Sequence, residues 1–297
     1  IPSFFNATPS TQESTTTTSQ QKPTDLDCLK KYKYTLPPHI KATYRQEALT
    51  NNISTICAQA LEKASITINV SYDTLANWNR DKGGHTTYKQ AFAIEQQSGE
   101  LVGNIVDTET NQGRRETEHI LFDIDPNDAT APRPIYGALN IRDQVNGAMP
   151  NASYGNSAFV IKKNSSIKKT FTLEDSMNAV ANSQSGILPS DAPVAVSGNE
   201  LRELVFQDPT GTLLNYLKTC AETVGPLTAK NITNFAPSDM HIECQLHPNG
   251  HLKFFEHLDK VIIHSDEVHG ETIDSKVSDV LKTMVRFDTK RNQNMQI

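Results

Sequence analysis

Residues 240–247, Met-His-Ile-Glu-Cys-Gln-Leu-His, alternate without exception between core-forming and hydrogen-bonding side chains after the opening methionine. In extended backbone successive side chains point to opposite faces, so Ile242, Cys244 and Leu246 fall on one side and His241, Glu243, Gln245 and His247 on the other. A helix would scatter both rows. The segment therefore reads as a strand with one core face and one polar face, the polar row forming either the wall of a cleft or a solvated sheet face; its lack of Lys and Thr favours the cleft.

The same period-two texture recurs in Ile66, Ile68 and Val70, interleaved with Thr67 and Asn69. Further strands are predicted at Ile120–Ile124, Ile135–Ile141, Ala158–Ile161, His251–Phe255 and Lys260–His264. Gly83-Gly84, Pro126-Asn127, Asn146-Gly147 and Pro248-Asn249-Gly250 punctuate them as turns. Apolar residues three or four apart, from Ile40 and Tyr44 to Ala60 and Leu61, predict an amphipathic helix over 39–63, opened by Pro37-Pro38. Shorter helical patches lie at Asp175–Ala181, Glu200–Val205 and Leu213–Val224. Many short strands with few crossover helices give an α+β chain with mainly antiparallel sheet, not a doubly wound one.

Residues 1–24 are nearly half Ser and Thr and read as a flexible low-complexity tail, because such a composition cannot bury enough apolar surface to offset its ordering entropy. Residues 25–85 then form a helical lead packed on the core, and 86–297 the core itself. No apolar run approaches 18 residues, so no membrane-spanning helix is expected. The net charge of −6 argues against broad binding to nucleic-acid backbone. The four cysteines, Cys28, Cys57, Cys220 and Cys244, form no Cys-x-x-Cys pair and are expected as free thiols.

Several chemistries lack their motifs. There is no Gly-x-x-x-x-Gly-Lys-Ser/Thr loop, no Gly-x-Gly-x-x-Gly after a strand and no Gly-x-Ser-x-Gly elbow. Six of the nine histidines lie between His241 and His269, among Glu256, Asp259, Asp266 and Glu267, which raises a metal hypothesis. Yet His-Glu-x-x-His is missing, His241-x-Glu243 lacks a Pro-Cys-x-x-Cys partner, and Pro248 and Gly250 break the helix that would align His247 with His251. No metal is expected, and a metal-dependent hydrolase is the least favoured reading.

Two more stretches carry candidate chemistry. In Arg133-Pro134-Ile135-Tyr136-Gly137-Ala138-Leu139-Asn140 an arginine enters a strand in which Gly137 permits close backbone approach. In Tyr154-Gly155-Asn156-Ser157-Ala158-Phe159-Val160-Ile161 a glycine turn runs into an apolar strand with Ser157 at its mouth. Taken in order, Arg133, Ser157 and Glu243 resemble the Arg–Ser–Glu arrangement of the mono-ADP-ribosyltransferases, in which three strands build an NAD cleft. The stretches also resemble a family of bacterial proteins, formerly of unknown function and grouped with divergent ADP-ribosyltransferases. That family carries an Arg-Pro-x-Tyr-Gly-Ala-Leu strand, a Phe-Gly-Ser-type strand and an Ile-Glu-Ala-Gln strand followed by His, matched here by Arg133–Leu139, Tyr154–Ser157 and Ile242–His247. The resemblance spans about residues 64–265.

This resemblance implies an ADP-ribosyltransferase-like pair of packed, mainly antiparallel sheets behind the N-terminal helical lead. It implies NAD+ as co-substrate and a host protein as acceptor, with arginine as the modified side chain by family habit. Glu243 would be the catalytic carboxylate and Gln245 would orient the acceptor; Arg133 would pair with the NAD+ pyrophosphate, beside Gly137; Ser157 would brace the cleft; and Tyr136 or Tyr154 would stack on the nicotinamide. The Ser/Thr-rich tail and the lack of a targeting signal suit a secreted bacterial effector or toxin, a virulence factor acting in the host cytoplasm. Arginine-specific members end in Glu-x-Glu or Gln-x-Glu, whereas this chain has Glu243-x-Gln245. That departure keeps two alternatives open: a catalytically silent NAD- or protein-binding pseudoenzyme, and an NAD glycohydrolase.

Overall fold

Asn51 takes a left-handed backbone conformation (φ 54°), which ends the predicted 39–63 helix after one half and starts it again. Asparagine tolerates that region better than most residues. The result is two helices, α2 (Pro38–Leu49) and α3 (Asn52–Lys63), preceded by α1 (Asp25–Lys31). The computed structural model describes residues 24–31, 36–70, 108–128, 131, 133–141, 144, 146–149, 155–188, 192–222, 241–247 and 257–263. The predicted strand at 251–255 and residues 1–23 of the predicted tail lie outside these residues, as does Tyr154.

After α3 the described chain continues as β1 (Ser65–Val70), α4 (Thr108–Phe122), β2 (Ile135–Asn140), β3 (Ser157–Ile161), β4 (Lys168–Leu173), α5 (Ser176–Gln184), β5 (Val196–Ser197), α6 (Arg202–Gln207), α7 (Thr212–Glu222), β6 (Ile242–His247) and β7 (Leu258–Ile262). The strands form one seven-stranded sheet in the order β5-β4-β6-β2-β1-β3-β7, with every neighbouring pair antiparallel. The α+β class and antiparallel pairing match the sequence analysis, but the described strands make a single sheet where two packed sheets were expected. β1, assigned by sequence to the helical lead, is an interior strand between β2 and β3, so the boundary drawn at residue 85 does not separate the lead from the sheet.

Two further differences concern elements. The strand predicted at 120–124 is instead the end of α4 and the turn behind it. Strand β4 was not foreseen, because Lys-Lys-Thr-Phe-Thr-Leu offers only Phe171 and Leu173 to an apolar row.

Register fixes the two faces of the sheet. One face carries Ile66, Ile68, Val70, Leu139, Phe159, Ile161, Phe171, Ile242, Cys244, Leu246 and Val261, all packed into a single apolar cluster with residues of α1, α2, α3, α6 and α7. Leu204, Phe206, Leu213 and Leu217 on α6 and α7 are completely buried there, and each such side chain stabilises the fold by roughly 1.5–3 kcal/mol. Helix α1 is pinned into this layer by charge. Asp25 accepts hydrogen bonds from the backbone and hydroxyl of Ser54 on α3, and Arg202 Nε of α6 lies 3.6 Å from its carboxylate. Thr24, the last residue of the predicted tail, caps α1 through reciprocal hydrogen bonds with Asp27.

All four cysteines are free and buried, as the sequence analysis expects. Burial, reinforced by Glu203 at Cys28 and by Asp25 at Cys57, pushes both of these thiols up to about 12, so they stay protonated and inert at neutral pH.

Candidate functional site

The opposite face of the sheet is polar along β4 and β6, as the alternation of β6 requires, but it is covered where a cleft wall was expected. Glu243 lies between Thr172 of β4 and Ala138 of β2, and Gln245 between Thr170 and Tyr136. Glu243 is only 6% exposed and Gln245 is fully buried. Helix α4 supplies the cover, placing Arg114, Glu118 and Phe122, at helical spacing, against this row.

Two hydrogen-bond donors and one cation converge on one oxygen of Glu243. The Ser176 backbone N–H, freed from helical pairing because it opens α5, donates to Oε1 at 3.2 Å. Gln245 Nε2 donates to the same oxygen at 3.0 Å, and Arg114 Nη1 stands 3.8 Å away. Among the described residues Oε2 has no hydrogen-bonding partner. Arg114 is itself held on three sides. Nη1 donates to Ser176 Oγ at 2.9 Å, Nη2 lies 3.3 Å from Asp175 Oδ2, and the guanidinium carbon sits 4.2 Å over the Tyr136 ring. Asp175 in turn caps α5 by accepting the Met177 N–H at 2.8 Å.

The row is completed by internal hydrogen bonds. Gln245 also donates to Thr172 Oγ1 and accepts from Thr170 Oγ1, both at 3.0 Å. Thr170 Oγ1 also lies 2.9 Å from His247 Nε2, and Phe122 of α4 meets the His247 ring edge-on. Burial, then Lys168, draws His247 below the usual imidazole range. On the other flank Tyr136 donates its hydroxyl to Glu118 at 2.9 Å, and Glu118 is also ion-paired with Arg133.

This cluster holds two guanidinium groups (Arg114, Arg133) against three carboxylates (Glu118, Asp175, Glu243). Burial raises the Glu243 carboxyl above the ordinary carboxylate range; Arg114 opposes that shift and Asp175 adds to it. Burial also raises the Tyr136 phenol, with the Glu118 carboxylate adding to it, so the hydroxyl remains a donor. For Arg114, burial works against the charge, but Glu243 and Asp175 outweigh it and keep the cation.

The raised Glu243 carboxyl has a sign that can be measured. The fold holds this proton more tightly than the unfolded chain does, so the group's contribution to stability is fully present below its unfolded value and is lost as pH rises through the folded one. The melting temperature of the wild type relative to Glu243→Gln is therefore expected to fall as pH is raised from 4 to 8, on the order of several degrees per lost kcal/mol. Parallel melting curves of the two proteins across that range check it.

Of the residues singled out by sequence, the structure brings Arg133, Tyr136, Glu243 and Gln245 to the same polar layer. Arg133 is fully engaged there: beyond Glu118, it donates to the carbonyls of Asp125, Pro126 and Asp128. Ser157 is not brought to Glu243. It pairs with Val70 and shares its face with Phe159 and Ile161, whereas the Glu243 row runs through Ala138, Thr67 and Val160, so the two side chains lie on opposite faces of the sheet with β2 and β1 between their strands. Gly137 likewise alternates with Tyr136, and the close approach it permits is to β1, where a Cβ would come within 2.7 Å of the Thr67 carbonyl.

Sequence reasoning missed Arg114, Glu118, Asp175 and Ser176. Their signal was present in another form. Arg114, Glu118 and Phe122 repeat every four residues, and Asp175-Ser176 opens a predicted helix with a capping residue.

Among the described residues no three His, Cys, Asp or Glu side chains are grouped as metal ligands; His251, His264 and His269 fall outside those residues. No described helix is long and apolar enough to cross a membrane. No protein-family model matches the chain, and no curated protein is significantly similar to it.

Proposed function

We propose that this protein transfers ADP-ribose from NAD+ to a protein side chain, with Glu243 as the catalytic carboxylate. The observation that carries the reading is a buried carboxylate with one oxygen fixed by Ser176, Gln245 and Arg114 and the other without a partner among the described residues. An orphaned acceptor of this kind fits a ribose hydroxyl, the group an NAD-cleaving site must grip. NAD+ supplies a glycosidic bond whose cleavage builds positive charge on the ribose, as in glycoside hydrolysis. Glu243 would stabilise that charge electrostatically from a site shielded from water. Gln245, two residues along on the same face, would orient the acceptor, arginine by family habit. Glu243 is only 6% exposed, so substrate contact requires the α4 cover to yield.

The fit to the pyrophosphate is poorer. Arg133 would have to leave Glu118 and three carbonyls to bind it, and Ser157 and Gly137 have no part in the proposed site. A host protein as acceptor, and delivery from a bacterium into the host cytoplasm, follow from the resemblance and belong to the same proposal.

A second reading is favoured by a specific observation. Ser157 and Glu243 lie on opposite faces and Arg133 is engaged internally, so the motif residues do not converge, as suits a pseudoenzyme that binds NAD+ or a protein without turnover. Incubation of the full chain and a cell lysate with labelled NAD+, with and without a chelator, separates the readings. Label on protein supports transfer. NAD+ loss without labelled protein indicates a glycohydrolase, retention of NAD+ without turnover indicates the binding module, and chelator sensitivity indicates a metal-dependent enzyme.

A further inference from the structure

We infer that Arg114 is a positioning residue for Glu243: it clamps the Oε1 side of the carboxylate so that Oε2 alone is presented to a substrate. The inference rests on Glu243 being the reacting carboxylate, and it assigns a role to a helix residue outside the three-strand motif. The geometry is directional. Arg114 reaches Glu243 at Oε1, the same oxygen that takes the Ser176 and Gln245 hydrogen bonds. The guanidinium cannot swing to Oε2 without leaving Asp175, Ser176 Oγ and the Tyr136 ring, which fix its plane.

Among the described residues no other arginine or lysine is ion-paired with Glu243. Asp175, the N-cap of α5, faces the site with a negative charge, Glu118 on α4 is engaged by Tyr136 and Arg133, β2 contributes Tyr136, and β4 contributes Thr172, with Lys168 four residues away in the same row beside His247. On β6 itself the neighbours are Gln245 and His247, the latter held below the usual imidazole range. Removing the Arg114 charge therefore leaves Glu243 buried opposite Asp175, and the carboxyl holds its proton more tightly.

The test is a carboxyl NMR titration of the full chain labelled with ¹³C-glutamate, the Glu243 resonance being identified by its loss in Glu243→Gln. Arg114→Gln should strengthen proton binding at Glu243 by about tenfold or more, which corresponds to about one pH unit. Arg114→Lys should fall between that variant and the wild type, because a point charge restores attraction without the fork. If Arg114→Gln does not fold, Arg114→Lys alone must still move the Glu243 midpoint upward. A midpoint unchanged in every folded variant overturns the inference. A midpoint that moves in the variants while the wild-type protein itself transfers no ADP-ribose upholds the Arg114–Glu243 contact and overturns the transferase reading, so the two failures are distinguishable.

Discussion

Glu243→Gln is expected to lower ADP-ribosyl transfer by roughly 10²–10³-fold while leaving NAD+ affinity nearly unchanged, because the lost charge acts chiefly on the transition state. The substitution keeps the side chain's size and its capacity to accept from Ser176 and Gln245. Arg114 retains Asp175 as an ion-pair partner, so the helix cover keeps its main anchor. Transfer from labelled NAD+ measured beside NAD+ binding checks the split. A Glu243→Gln protein that folds, binds NAD+ and modifies its target at the wild-type rate removes Glu243 from the chemistry.

The largest expected loss of stability lies elsewhere. Asp25→Ala removes the buried carboxylate 3.6 Å from Arg202 Nε, and breaking a buried pair of this kind costs about 3–5 kcal/mol. The loss extends to Ser54, whose backbone N–H and hydroxyl both donate to Asp25. Denaturant unfolding of the variant should show a midpoint lowered in proportion, with an unchanged slope. Deletion of residues 1–23, by contrast, is expected to change the unfolding free energy by no more than about 0.5 kcal/mol, since Thr24 and its cap remain.

The strand carrying Glu243 was legible because its apolar row is perfect, and the faces of β1, β2 and β3 follow from the same alternation. Helix α4 was not legible, for a physical reason. Its buried side is built from Arg114, Thr117 and Glu118 instead of leucines, so a search for apolar periodicity reads it as surface. The Ser157 assignment illustrates a different gap. Order along the chain selects Arg133, Ser157 and Glu243, but only the pairing of Val70 with Ser157 reveals which side of the sheet the serine occupies.

The position of β6 also governs how the chain can be assembled. Among the described strands β6 alone joins β4 and β5 to the rest of the sheet, and it is the next to last of them in sequence. Until residues 242–247 are available, β2 and β4 each present an open edge, and Arg114 has Asp175, Ser176 and the Tyr136 ring but no Glu243. Such edges invite pairing between chains, and sheets closed by distant segments form slowly. During synthesis the growing polypeptide must therefore carry two unfinished half-sheets from residue 197 until residue 242 emerges, and a chain interrupted before residue 242 would lose the bridge between them and the carboxylate at its centre together.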